Sequence, residues 1–188
     1  MLKKVKVPGV IRIVEYSIAP SGNKIVFAVE FEESIYRPKE THLWLVNRDG
    51  TGLRRLTENH HSVEPAWSPS GKEIAFRNID SISVIDVKTR VARNLRGLQA
   101  YHARENEDHH NTSMYLHPRW SHNGKAIAAE GGNGGTGWIT AVEARSGNEI
   151  LQSSNEVYSF AWNHEGELVI GTSGKFVFDW SSGIFNRH

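Results

Sequence analysis

The residues best suited to chemistry in this sequence are histidines, because six of the ten fall in two neighbouring segments. Neutral imidazoles, with carboxylates such as Glu105, Glu107 and Asp108, could bind zinc, manganese or nickel. Cysteine is absent, so any metal site must use histidine and carboxylate. A divalent-metal site and a solvated polar loop both fit the pattern, because adjacent histidines rarely aim at one ion. The candidate ligands are His60, His61, His102, His109, His110 and His117.

A second group of side chains is suited to protein contacts. It lies in and beside two long segments, 31–41 and 97–114, which lack a strand pattern. Aromatic and arginine side chains are typical anchors of protein interfaces. The segments therefore predict a partner-binding surface, with a polar cover over apolar edges as the alternative. The candidate contacts are Tyr36, Arg37, Lys39, Tyr101, Arg104 and Tyr115.

Several enzyme classes lack their minimal sequence signatures. The glycines of GNGGTG, Gly132, Gly134 and Gly137, match a dinucleotide pattern that works only between a strand and a helix N-terminus. Here a strand is expected to follow, so a hairpin loop is favoured. No G-x-S-x-G elbow, H-E-x-x-H helix or P-loop occurs, which argues against the hydrolase, zincin and NTPase classes.

Charge and hydropathy narrow the partners further. Lys plus Arg number 22 and Asp plus Glu number 21, so nucleic acid and anionic membranes are disfavoured. No apolar run approaches the ~20 residues that span a bilayer, and the basic start MLKKVKVPG lacks the apolar core of a signal peptide. We expect no membrane insertion and a cytoplasmic protein, or a periplasmic one if an export signal was removed.

The elements that must position these side chains come from a repeat. EPAWSPSGKEIAF recurs as YSIAPSGNKIVFA, PRWSHNGKAIAAE and FAWNHEGELVIGT, at a period of about 40 to 50 residues that is typical of propeller blades. Four residues before each turn glycine stands a large side chain, which we call the wedge residue and expect to lie between blades. The turn glycines are Gly22, Gly71, Gly124 and Gly166, and the wedge residues are Ile18, Trp67, Trp120 and Trp162.

Each repeat continues as short segments rich in Val, Ile, Phe and Trp separated by tight turns, which predicts four antiparallel strands. A four-stranded meander cannot bury both faces alone, so the units must stack. The sequence therefore predicts an all-β β-propeller domain over 1–188, with four four-stranded antiparallel blades per chain. The expected blades are 12–57, 62–97, 114–153 and 156–188, with 2–8 as a candidate closure strand.

The strings EPAWSPSGKEIAF and LWLVNRDGTGLRRLT resemble the WD40-like (PD40) repeat of TolB-type β-propellers. That repeat also occurs in propellers of prolyl-oligopeptidase-like peptidases and in oligogalacturonate lyases. The resemblance covers roughly residues 12–186 and implies fold more firmly than function. It implies a protein-binding propeller. Through the His117-Pro118 step, it also implies the alternative of a metal-dependent enzyme on acidic saccharides.

Four blades are fewer than the six to eight that close most relatives of this repeat. A compact four-bladed ring, a homodimer with eight blades and a half-propeller from a longer protein are all open. We favour the homodimer, because an open half-ring would expose apolar blade faces. In a two-fold pair, blade four of each chain would contact blade one of its partner. The favoured function is a non-enzymatic binding scaffold, and a self-assembling half-propeller without a ligand is a further alternative.

Overall fold

The computed structural model describes residues 6–7, 9–31, 40–58, 61–97, 114–133, 136–153, 157, 159–171, 175–179 and 184–187. The described residues form strands and turns without any helix. Among them, therefore, no helix is long and apolar enough to cross a membrane. The all-β prediction is confirmed. The closure strand expected at 2–8 lies mostly outside the described residues.

Sixteen strands form four antiparallel sheets, each a meander in chain order. Sheet 1 contains β1 (Val10–Ile18), β2 (Lys24–Phe31), β3 (Glu40–Asn47) and β4 (Arg54–Arg55). Sheet 2 contains β5 (Ser62–Trp67), β6 (Glu73–Asn78), β7 (Ser81–Asp86) and β8 (Ala92–Gly97). Sheet 3 contains β9 (Met114–Trp120), β10 (Ala126–Asn133), β11 (Thr136–Glu143) and β12 (Glu149–Gln152). Sheet 4 contains β13 (Ser159–Trp162), β14 (Leu168–Gly171), β15 (Lys175–Asp179) and β16 (Ile184–Arg187).

The chain divides into two compact units. The first contains Met1–Ile79 and Ser83–Arg93, and the second contains Asp80–Ile82 and Asn94–His188. Sheet 1 lies wholly in the first unit, and sheets 3 and 4 lie wholly in the second.

The turn between the first and second strands of each sheet depends on its glycine. Gly22, Gly71, Gly124 and Gly166 have φ values of 68°, 67°, 70° and 86°, a left-handed conformation that glycine adopts without strain. The polar turn residues bond their own backbone. In the third sheet, for example, the Ala126 and Lys125 amides donate to Ser121 Oγ and Asn123 Oδ1 at 3.0 and 2.9 Å. We call this end of each sheet the turn end and the opposite end the loop end.

The core of the first unit lies between sheets 1 and 2. Val26, Ala28, Leu43 and Leu45 of sheet 1 share one buried cluster with residues of sheet 2 that include the wedge residue Trp67. The Trp67 indole N–H also donates to the Ser17 carbonyl oxygen at 3.1 Å. Sheet 2 thus contacts sheet 1 through apolar packing on β2 and β3 and through one hydrogen bond to β1.

The core of the second unit repeats this arrangement between sheets 3 and 4. Ala128, Ile139, Ala141 and Leu151 of sheet 3 share a buried cluster with Phe160, Leu168 and Ile170 of sheet 4. The wedge residue Trp162 packs against this cluster, and its indole N–H donates to the Arg119 carbonyl oxygen at 3.0 Å. Ser17 and Arg119 each stand five residues before a turn glycine, so both tryptophans use the same repeat position as acceptor.

Candidate functional site

An ion pair at the loop end of sheet 1 joins the first two strands. Arg12 on β1 approaches Glu30 on β2, with the Nη2 and Nε atoms 2.8 and 2.9 Å from Glu30 Oε2. The Glu30 side chain is buried while the arginine is largely exposed. A buried carboxylate needs such a partner because desolvation disfavours its charge. The pair therefore fixes a guanidinium at the surface of the loop end.

Sheet 2 carries a second ion pair in the same region. Arg77 Nε on β6 lies 3.1 Å from Glu64 Oε1 on β5. Glu64 has a φ of 57°, and the β5–β6 register shifts between Val63 and Ala66. A bulge of this kind re-aims side chains along a strand. Both residues of the pair are therefore held by backbone geometry as well as by their charges.

A buried histidine lies at the loop end of sheet 1. His42 on β3 is 1% exposed, and its Nε2 lies 3.3 Å from Glu40 Oε2. Arg55 Nη2 approaches both ring nitrogens at 3.0 and 3.1 Å. Phe31 lies against the imidazole, with ring centroids 5.6 Å apart. The arrangement holds Arg55 and Glu40, which directly follows residues 32–39 in the chain, against the His42 ring.

In the second unit, an imidazole and a carboxylate take the corresponding place. His117 Nδ1 on β9 lies 3.3 Å from Glu130 Oε2 on β10. His117 has a φ of 51°, and both His117 and Glu64 stand seven residues before a turn glycine and directly before a proline. The shared repeat position and the proline after it were visible in the sequence. The repeat alignment alone did not reveal the positive φ or the cross-strand partners.

The GNGGTG segment forms the loop end of a hairpin. Gly132 pairs with Gly137 and Asn133 with Thr136 between β10 and β11, so a strand follows the glycines as expected. Gly131 packs against the indole of Trp138, and a Cβ atom there would collide with that ring. This glycine is therefore needed for close packing of the hairpin on its own tryptophan.

The predicted site residues fall unevenly on the described part of the chain. His61, with a φ of 78°, stands just before β5, and His117 lies on β9. Tyr115 also lies on β9, within the described backbone. The remaining predicted ligands and contacts lie outside the described residues: His60, His102, His109, His110, Tyr36, Arg37, Lys39, Tyr101 and Arg104. The metal and partner sites therefore stay predictions.

At the turn end, a carboxylate accepts hydrogen bonds from within its own turn. Asp86 closes the β7–β8 turn, where its Oδ1 accepts from the Thr89 amide and hydroxyl and from the Lys88 amide. The Thr89 amide, followed by its hydroxyl, lowers the pKa of the Asp86 carboxyl below its ordinary value. Its bonds are made within the turn, so this carboxylate stabilises local structure.

Curated proteins match only part of the chain, and no protein-family model matches it. Dipeptidyl-peptidase 5 from Porphyromonas endodontalis is 33% identical over 69 residues, which cover 36% of this chain and 10% of the peptidase. Dipeptidyl-peptidase 5 from Porphyromonas gingivalis is 35% identical over 66 residues, with 35% and 10% covered. The match thus spans about a tenth of either peptidase.

Solved structures match almost the whole chain at low sequence identity. A protein described as TolB from Agrobacterium tumefaciens has a TM-score of 0.63 and 17% identity, covering 98% of this chain and 68% of that one. The β-propeller domain of the Trilobed protease from Pyrococcus furiosus has a TM-score of 0.67 and 13% identity, covering 97% and 58%. Oligogalacturonate lyase from Vibrio parahaemolyticus has a TM-score of 0.63 and 9% identity, covering 90% and 50%.

These likenesses carry the fold and leave the activity open, because TolB, a protease domain and a lyase share the architecture. The chain is an all-β protein of four four-stranded antiparallel sheets with a TolB-like β-propeller fold.

Proposed function

We propose that this chain is a non-enzymatic binding scaffold that presents its loop end to a protein or peptide partner. The carrying observation is that cross-strand ion pairs such as Arg12–Glu30 and Glu64–Arg77 hold charged groups at the loop end. The turn end also carries an ion pair, between Arg93 and Glu73, beside polar groups such as Asp86 that bond within their own turns.

Fixed charges favour recognition for an energetic reason. A side chain already ordered by an ion pair loses less conformational entropy when a partner binds. The chain carries nearly balanced charge, which supports a partner of mixed charge over a polyanion. The resemblance to TolB-type propellers also supports a protein partner. We assign the contacts to Tyr36, Arg37, Lys39, Tyr101, Arg104 and Tyr115.

Quantitative affinity capture with matched baits tests this function. The baits are the unaltered chain, a loop-end variant with Tyr36→Ala and Arg37→Ala, and a turn-end control with Arg48→Ala and Lys88→Ala. We expect a stoichiometric partner that the loop-end variant recovers at least about tenfold less, because aromatic and arginine anchors dominate interface energy. Equal recovery with all three baits would contradict the assignment.

A metal-dependent enzyme on acidic saccharides is the second candidate. His117 supports it, because its Nδ1 lies 3.3 Å from a Glu130 carboxylate oxygen. Metal-binding histidines are commonly oriented by a carboxylate at their other ring nitrogen. A divalent ion there would supply Lewis-acid chemistry, and Glu130 would set the imidazole orientation. The lyase likeness is compatible with this candidate through fold alone.

Metal content and lyase activity distinguish the two functions. The purified chain is dialysed against manganese, zinc or nickel, measured by inductively coupled plasma mass spectrometry, and assayed on oligogalacturonate. One tightly held ion per chain, lost in His117→Ala, together with lyase activity would establish the enzyme. A chain without retained metal or activity would leave the binding scaffold. His164→Ala is the matched control, because His164 is an exposed turn residue.

A further inference from the structure

The strongest unexplained feature is an apolar stripe on one face of sheet 1. Ile13, Tyr16 and Ile18 on β1 are 60%, 69% and 54% exposed. They pair with Val29, Phe27 and Ile25 of β2 and therefore lie on the same face of the sheet as these residues. This is the face opposite Val26 and Ala28, which pack against sheet 2. Phe27 and Val29 on this face are buried, in a cluster against which Val7 packs. The exposed part of the face is therefore the stripe along β1, which we call the open face of sheet 1.

The repeat shows what this surface is built to contact. Ile18 is the wedge residue of sheet 1 and pairs with Ile25, as Trp67 pairs with Ile74 in sheet 2 and Trp162 with Leu168 in sheet 4. The wedge side of sheet 2 lies against sheet 1, and the wedge side of sheet 4 lies against sheet 3. The open face is therefore a third wedge side, and its occupant should be a sheet of this repeat.

The surface on which a wedge residue packs, which we call the acceptor surface, also uses fixed positions of the repeat. In sheet 1 it contains Ser17 and its partner Val26, and in sheet 3 it contains Arg119 and its partner Ala128. Both Val26 and Ala128 are 0% exposed, beneath the following sheet. An acceptor surface thus contains two paired residues. One stands five residues before the turn glycine on the first strand, and the other is a small or β-branched residue on the second strand.

Sheet 4 carries the same acceptor register on its other face. Ala161 stands five residues before Gly166 and pairs with Val169. Ala161 is exposed and Val169 is half-buried, whereas Phe160, Leu168 and Ile170 on the opposite face pack on sheet 3. Among the described residues, the stripe around Ile18 is therefore an exposed wedge surface, and the surface around Ala161 is an exposed acceptor surface.

We propose that a second copy of this chain covers the open face, with Ala161 and Val169 of its sheet 4 packed on Ile18 and Tyr16 of sheet 1. The net charge of +1 gives little electrostatic resistance to pairing of copies. Each chain carries both kinds of surface, so any two copies can form the contact. This interface goes beyond the proposed function, because it adds self-association to the binding scaffold.

Sedimentation velocity on the full chain measures the strength of this contact. Ile18→Lys should weaken dimerisation at least about tenfold, because it places an unpaired charge in the interface. Ile18→Trp should strengthen it, because the indole N–H gains the carbonyl of Ala161 in the second copy. Val91→Lys is the matched control, since Val91 is equally apolar and 65% exposed in the β7–β8 turn of the first unit. A monomeric wild-type chain, or equal effects of Ile18→Lys and Val91→Lys, would overturn the proposal.

Cross-linking tests which surfaces meet. The chain has no cysteine, so chains carrying only Ile18→Cys and chains carrying only Ala161→Cys can be mixed and treated with a short bismaleimide. Mixed dimers in excess over either homodimer are expected. Preferred Ile18→Cys homodimers would mean that two open faces meet each other, which overturns the wedge-to-acceptor contact. If the chain forms no dimers but still captures a loop-end partner, the interface is refuted and the binding function stands.

Discussion

The two faces of sheet 1 both carry apolar side chains but differ in what covers them. On one face, Val26, Ala28 and Leu43 are buried beneath sheet 2, and Trp67 adds a hydrogen bond to β1. On the other face, Ile18 occupies the equivalent wedge position and is 54% exposed. Val29, on the same face as Ile18, is nonetheless buried in a separate cluster. The comparison teaches that the repeat encodes a two-sided sheet, and that the wedge position is buried where a neighbouring sheet packs on it.

Trp67→Ala should cause the largest loss of stability. Removing this ring leaves a cavity between sheets 1 and 2, which costs about 3–5 kcal/mol for a buried tryptophan. Ile18→Ala, at the same repeat position on the open face, should cost less than about 1 kcal/mol in dilute protein. Urea unfolding followed by tryptophan fluorescence measures both. Similar losses for the two variants would remove the distinction between the faces.

Ala128→Leu extends the comparison to the second unit. Ala128 is 0% exposed beneath sheet 4, so a larger side chain should lower the free energy of unfolding by about 1–3 kcal/mol through overpacking. Ala161→Leu is the control on the exposed side of sheet 4 and should leave the free energy nearly unchanged. The same urea titration, in dilute protein, measures the free energy of unfolding of both variants. A costly Ala161→Leu would show that this side is already packed.

Trp67→Phe isolates the hydrogen bond from the packing. The ring is largely kept, but the Ser17 carbonyl loses its donor, and an unpaired buried acceptor costs about 1 kcal/mol. Trp162→Phe should have a smaller effect, because the bond from Trp162 to the Arg119 carbonyl is exposed to water. Tyr16→Phe, on the open face, removes an exposed hydroxyl and should be neutral. Thermal unfolding midpoints would sharpen the comparison, and a neutral Trp67→Phe would assign the wedge to packing alone.

The smallest effect is expected at the turn end, away from both faces. Hydrogen bonds from Thr89, and a weaker one from the Lys88 amide, lower the pKa of Asp86 below its ordinary value. A lowered pKa in the folded state stabilises the protein above the unfolded-state pKa, and this contribution is lost as pH falls through the folded-state pKa. The stability difference between the wild-type chain and Asp86→Asn should therefore be present at neutral pH and vanish in acid. A difference independent of pH would contradict the assignment.

Much of the fold could be predicted because the repeat pattern occurs four times in the sequence. The turn glycines and wedge residues identified the strands around them, and the hairpin after GNGGTG followed from the strand pattern. These features depend on local backbone preferences and alternation, which a single sequence contains.

The loop end was less accessible to prediction. The positive φ of Glu64 and His117 arises with register shifts in β5–β6 and β9–β10, and register depends on strand partners. The burial of His42 depends on Phe31 and Arg55, which approach it only in the folded sheet. The predicted partner-binding residues in 32–39 and 98–113 lie outside the described residues, and connections carry no repeat pattern.

Light scattering coupled to size exclusion, on the unaltered chain at several concentrations, tests the central claim most directly. If the open face of sheet 1 packs against a sheet of a second copy, the mass should rise with concentration toward twice the chain mass of 21.1 kDa. In the Ile18→Lys variant the rise should move to much higher concentration. A mass that stays at 21.1 kDa at every concentration would contradict the account.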